Sequence, residues 1–205
     1  MRVLVIAPHP DDEVLGCGGT IKKHTNKGDE VHLCIVTRAY TPDWTQEFIE
    51  NRKKEISCAN EVLGIKETIF LDLPTVKLDR VGQKKLYDLI SGNIGKVKPE
   101  TLYLPFAKDS NKDHQLVFEA GFIASKALKK VLSYSYESPL FMPNIYIDIS
   151  DTLEDKLKAM SCYKSELKEY PHPRSLEAIK VLAEKRGTEA GLKAAEAFML
   201  IREIF

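Results

Sequence analysis

The chain has 205 residues, enough for one domain with a substantial core, and its 43% hydrophobic and 29% charged residues match an ordinary globular protein. Thirty basic residues balance thirty acidic ones, so the overall charge gives no ground for a nucleic-acid binder or a membrane-surface protein. No apolar stretch approaches bilayer-spanning length and the N-terminus carries no basic region or cleavage site, so the sequence reads as soluble and cytoplasmic, without membrane insertion.

β-Branched runs alternate with helical spacing along the first half. RVLVIA at 2–7, EVHLCIVT at 30–37, ETIFLDL at 67–73 and ETLYLP at 100–105 read as strands, and residues 13–27, about 44–63 and about 79–97 read as helices. Gly28 and Gly64 stand as stop signals after the first two helices. The alternation predicts βαβ units around a mostly parallel, Rossmann-like sheet in a three-layer α/β/α sandwich. A fourth helix is expected from Asp113 to about Lys130, followed by strands SYSYE and NIYIDI placed to pair at an edge. Amphipathic helices are expected over Ile149–Leu167 and within Arg174–Phe205, with PHPRS at 171–175 breaking between them. With no repeat, low-complexity tract or linker, residues 1–205 are expected to form a single domain. The four cysteines, Cys17, Cys34, Cys58 and Cys162, form no CxxC pair and are expected as reduced, buried thiols.

The chemistry concentrates in HPDDE at 9–13, directly after the first strand. An imidazole and three carboxylates within five residues repel one another and need solvation, so their clustering points to a cation. Ligands in parallel α/β sheets sit at the carboxyl ends of strands, and FAKDSNKDH at 106–114 occupies the same position after the fourth strand. His9 and Asp12, three residues apart across a strand-to-helix turn, suit one ion, and His114 supplies a third ligand. Three protein ligands with an open fourth position is the arrangement of catalytic rather than structural zinc. Asp113 is placed to orient a ligand imidazole or to cap its helix. Glu13 reads as a first-turn helix residue favoured by the dipole.

GCGGT at 16–20 does not match a phosphate loop, because Ile21 stands where the last glycine of GxGxxG belongs. Gly16, Gly18 and Gly19 are expected to permit close packing of helix on sheet. No GxSxG elbow is present, so a serine hydrolase lacks a nucleophile.

The strand followed by HPDDE and the distal Asp-His pair resembles the PIG-L/LmbE family of zinc-dependent N-deacetylases. Further similarity lies in RKKEISCANEVLG at 52–64, NKDHQLVFEA at 111–120 and RGTEAGLKAAEAF at 186–198. The resemblance implies one zinc ion per chain, or another divalent metal, on His9, Asp12 and His114. It implies Asp11 as general base, Arg52 as a sugar contact and Asp72 as a weaker substrate-binding candidate. One departure matters: where characterised relatives often carry HxDH, with a histidine stabilising the oxyanion, this chain has Asn111. An asparagine amide donates a hydrogen bond but carries no charge and transfers no proton. His172, between two prolines, is the further catalytic candidate; His24 and His32 read as ordinary helix and strand residues.

The implied reaction is hydrolysis of an N-acetyl group from a small-molecule amino sugar or sugar conjugate. The alternatives are a metal-dependent hydrolase of another amide or ester, and a zinc-binding domain without catalysis. Tyr40, Trp44 and Tyr163 suit stacking against a sugar, or packing. The long C-terminal helices also offer a surface for homo-oligomer assembly.

Overall fold

The computed structural model describes all 205 residues. The four expected strands form β1 (Arg2–Ala7), β2 (Glu30–Arg38), β3 (Glu67–Pro74) and β4 (Thr101–Pro105), which pair in parallel in the order β3-β2-β1-β4. Along β1, Val3, Val5 and Ala7 face one apolar cluster while Leu4 and Ile6 face another, the two-residue alternation of a strand covered on both sides.

Helices α1 (Asp12–Asn26) and α2 (Gln46–Leu63) cover the first face, and α3 (Gln83–Val97) and α4 (Lys112–Ala124) cover the second. Gly64 closes α2 in the left-handed region at φ 74°, the conformation expected of a helix stop. The helix expected from residue 79 is divided: Leu78–Arg80 form a 3₁₀ turn, and α3 starts only after Gly82, whose φ of 84° an ordinary helix excludes. Helix α4 stops short of the expected Lys130 because that residue begins β5 (Lys130–Tyr134).

The C-terminal part departs furthest from expectation. After β6 (Ile145–Asp148), α5 (Leu153–Cys162) and α6 (Leu176–Thr188) are helical as predicted, but residues 195–203, expected as helix, form strand β7 (Ala195–Glu203). Its alanine and glutamate content favours a helix only weakly. Pairing antiparallel to both β5 and β6 buries Ala195, Ala197 and Phe198 and satisfies the open edge of β5. Strands β5 and β6, expected as partners, are therefore separated by β7 in a single sheet ordered β3-β2-β1-β4-β5-β7-β6. The three-layer, mostly parallel architecture stands.

Of the three glycines in α1, Gly16 packs on the sheet as expected, while Gly18 faces Lys156 of α5 and Gly19 faces Ile149 beyond the end of β6. A Cβ on Gly16 would fall 2.2 Å from the Tyr134 ring and one on Gly19 would fall 2.8 Å from Ile149. This close approach admits a buried ion pair between α5 and β7. Lys156 Nζ donates to Glu196 Oε1 at 2.5 Å and to Leu15 O at 2.9 Å, while Glu196 accepts from the amides of Gly19 at 3.0 Å and Thr20 at 2.7 Å. These are backbone groups that an isolated helix would keep for itself.

The cysteine expectation needs one correction. Cys17 and Cys34 are buried free thiols, but Cys58 and Cys162 form a disulfide joining α2 to the end of α5 across a sequence separation of 104. Spacing so long carries no pairing signal; only the packing of α2 against α5 brings the two together. No helix is long and apolar enough to cross a membrane.

Candidate active site

HPDDE emerges at the carboxyl end of β1, and its conformation is unusual. Asp11 sits at φ 110°, a left-handed backbone that costs a non-glycine residue of order 1–3 kcal/mol and persists only where the surroundings impose it. Glu13 supplies part of that constraint. Expected as a first-turn residue, it is in that turn but fully buried, accepting from Asp11 N at 3.1 Å and from Tyr163 OH at 2.6 Å. Burial raises its carboxyl to about 7, against the pull of the Tyr163 hydroxyl.

The structure brings His9, Asp12 and His114 together. His9 Nδ1, His114 Nε2 and Asp12 Oδ2 form a nearly equilateral triangle with edges of 3.2, 3.2 and 3.3 Å. The opposite ring nitrogens are each held by a carboxylate: His9 Nε2 lies 3.0 Å from Asp113 Oδ2, and His114 Nδ1 lies 3.2 Å from Asp109 Oδ2. Protons on those outer nitrogens leave the inner pair free to coordinate. Asp113 also accepts from Val76 N and Leu78 N, fixing the loop after β3 to the cluster. Asp12 Oδ1 accepts from Tyr136 OH at 3.0 Å.

Without a cation the cluster is electrostatically closed on itself. Burial works against charge on His9, but its bonds to Asp113 and Asp12 win and raise it to about 9. Burial likewise opposes charge on His114, which Asp12 and Asp109 raise to about 10. Asp12 is buried too, yet the two imidazoles hold it well below the usual carboxylate range.

Asp11 is different. Burial, then Asp12, push its carboxyl well above the usual range, with Arg174 opposing them. Its Oδ2 is buried without a hydrogen-bond partner, and Arg174 Nη1 stands 3.7 Å away. Such an oxygen lacks anything to accept from unless a reactant brings a proton.

His9 and Asp11 open onto a cavity of about 210 Å³ also lined by Trp44, Phe48, Arg52, Asn111 and Arg174. Arg52 is nearly buried, ion-paired with Glu166 and Glu55, and lies over the Phe48 ring at 5.0 Å. Asn111 caps α4, its Oδ1 accepting from Asp113 N at 2.9 Å. Asp72 is not in this cavity; it stands at a bulge in β3, φ 53°, and pairs with Arg38 at 3.6 Å. It lines an adjoining groove of about 500 Å³ that shares Pro10, Thr37, Ala39 and Arg52 with the first.

His172, expected in the site, does not line the cavity. It is exposed, and its Nδ1 accepts from Arg174 N at 3.1 Å; the same loop contributes Arg174 instead. His24 and His32 are engaged elsewhere, with Asp29 and Tyr103 and with Glu67. Tyr163 is buried behind Arg52, and Tyr40 packs edge-on to Trp44. The sequence reading missed Asp109, Tyr136, Glu166 and Arg174. Asp109 lies in the same polar loop as His114 and Tyr136 just after a strand end, so position alone marked both; nothing local marked the other two.

Comparison with known proteins agrees with the geometry. The PIG-L family profile, described as GlcNAc-PI de-N-acetylase, matches residues 4–125. Diacetylchitobiose deacetylase of Thermococcus kodakarensis is 27% identical over 235 residues, covering 100% of this chain and 84% of that protein. Among solved structures, N,N'-diacetylchitobiose deacetylase from Pyrococcus horikoshii superposes with a TM-score of 0.79 at 24% identity, covering 98% of this chain and 83% of the other. The 4-carboxy-2-hydroxymuconate hydratase of Pseudomonas putida KT2440 reaches 0.84 at 20% identity, covering 100% and 97%. The same fold therefore carries more than one reaction, and the structural likeness speaks for the fold alone.

Proposed function

The chain belongs to the PIG-L family, and on that premise we propose that it is a hydrolase removing the N-acetyl group from an amino sugar or sugar conjugate, with one zinc ion held by His9, Asp12 and His114. Two imidazoles and a carboxylate, with donor atoms 3.2–3.3 Å apart, are a donor set that would hold a zinc ion. An ion there supplies Lewis acidity and makes water more acidic.

The observation that carries the reading is the unpartnered, buried oxygen of Asp11, a residue that lines one cavity with His9 of the ligand triangle. Asp11 takes a proton from the attacking water and returns it to the departing nitrogen, which is a poor leaving group until protonated. Trp44 and Phe48 offer aromatic faces for the sugar ring. Arg52 and Asp72, on the shared wall and in the adjoining groove, are the groups for its hydroxyls and for the rest of the conjugate. Residues from β1 to the loop after α5 contribute, which supports residues 1–205 working as one catalytic domain.

The test is acetate release by zinc-loaded protein from a panel of acetamido sugars, acyl amino acids and aryl esters. Asp11→Asn is expected to keep its zinc and lose roughly 10²–10⁴-fold in turnover. Undiminished turnover in that metal-loaded variant removes Asp11 from the role. Activity on esters or acyl amino acids alone favours a different hydrolase, and zinc binding with no turnover favours a non-catalytic domain.

A further inference from the structure

We propose that Arg174 is a catalytic residue whose guanidinium stabilises the negative charge developing on the acyl oxygen as water adds to the acetamide. The proposal rests on the deacetylase reading above. Two guanidinium groups line the cavity. Arg52 is committed: it donates to Glu166 and towards Pro10 O at 3.4 Å, pairs with Glu55 at 3.5 Å and lies between the Phe48 and Tyr163 rings. Arg174 has only Glu166 and Asp11 as charged partners, and its side chain is 30% exposed, so most of its five N–H donors remain free for a reactant. Glu166 bridges both arginines and holds the second guanidinium at the mouth of the cavity beside Asp11.

The other donors do not meet the need. Asn111 lines the cavity but offers only a neutral amide donor, and His172 stands outside the cavity. Arg174 is fixed from both sides, by its own amide on His172 Nδ1 and by the buried Ser175, which caps α6 through a 3.1 Å bond from Ala178 N. A charge held in place before reaction costs no reorganisation during it, which is the condition for electrostatic stabilisation of an oxyanion. Burial opposes charge on Arg174, but Asp11, Tyr136 and Glu166 outweigh it and keep the group protonated throughout.

The step balances without Arg174 exchanging a proton. One water O–H bond breaks and its proton passes to Asp11; the water oxygen bonds the acyl carbon, and the carbonyl π pair moves to the oxygen beside Arg174. On collapse that pair re-forms C=O, the C–N bond breaks with its electrons on nitrogen, and Asp11 returns the proton to nitrogen.

The experiment compares two ligands of the zinc-loaded protein by calorimetry: glucosamine carrying an acetamide, and glucosamine carrying an anionic, tetrahedral methylphosphonamide at the same nitrogen. Wild type is expected to prefer the second. Arg174→Met should weaken it by about 100-fold and the acetamide by less than about threefold, with kcat down roughly 10²–10³-fold and KM nearly unchanged. Arg174→Lys should recover about tenfold, and Arg174→Gln provides the neutral comparison should the Met variant fold poorly. Equal weakening of both ligands, or no preference in wild type, overturns the proposal. If wild type hydrolyses no acetamide yet shows an Arg174-dependent preference, the deacetylase reading falls while the charge-stabilising site stands.

Discussion

The first half of the molecule, β1 to α4, and the remainder, in which β5 extends the parallel sheet beside β4 while β7 and β6 run antiparallel with α5 and α6 packed on them, contribute to one cavity in different ways. The first supplies the acids and imidazoles of the candidate metal site, all of them from the loops and first helical turns at the carboxyl ends of β1 and β4. The second supplies supports and a half-buried cation: Tyr136 on Asp12, Tyr163 on Glu13, Glu166 between two arginines, and Arg174 beside Asp11. A parallel sheet places its loops over a common crevice by topology, so ligands from any strand converge there. Tyr136, just past the carboxyl end of parallel β5, obeys the same rule, whereas Tyr163, Glu166 and Arg174 reach the crevice only through tertiary packing.

The division can be broken most forcefully at the Lys156–Glu196 pair. Lys156→Met leaves the buried Glu196 carboxylate uncompensated and is expected to cost about 3–5 kcal/mol of folding stability, read from urea unfolding. Lys156→Met with Glu196→Gln is expected to recover part of that loss. A single variant within about 1 kcal/mol of wild type would show that the C-terminal part is not what secures α1.

A subtler cut falls inside the first half. Asp109→Asn should lower metal affinity by roughly 10–100-fold in a chelator competition, because it loosens the ring nitrogen opposite the ligating one on His114. Unchanged affinity would mean that the α4 loop positions His114 unaided.

The third effect is smaller per pH unit. Their carboxylate partners raise His9 to about 9 and His114 to about 10, above the ordinary 6.5, so zinc uptake at pH 7 is expected to displace at least one proton. Affinity should rise about tenfold per pH unit per displaced proton between pH 7 and 9, and calorimetry in buffers of different ionisation enthalpy should detect the release. The metal-free fold has the opposite dependence. Its raised histidines stabilise it fully below about 6.5 and lose that contribution as pH rises through about 9–10. Zinc uptake without proton release would separate these imidazoles from the metal.

Legibility in sequence followed the same boundary. His9, Asp12 and His114, and the four parallel strands, were readable because strand ends and short loops relate their residues locally. Strand β7 was not, since Ala195–Glu203 carries helix-compatible residues and is a strand only because β5 and β6 flank it. Asp109 was within reach, lying in the loop already singled out. Arg174 was read past in favour of His172, its more reactive-looking neighbour; the direction of its side chain depends on Asp11, which is remote in sequence, as well as on the nearby Glu166. The Cys58–Cys162 bond was hidden for the same reason.

The grip of Glu196 on the amides of Gly19 and Thr20 also orders events in time. During synthesis HPDDE leaves the ribosome well before the carboxylate that steadies its helix. A nascent chain halted before β7 would carry every metal ligand and still lack the support that holds α1 in place. That support is acquired at once, when β7 docks between β5 and β6.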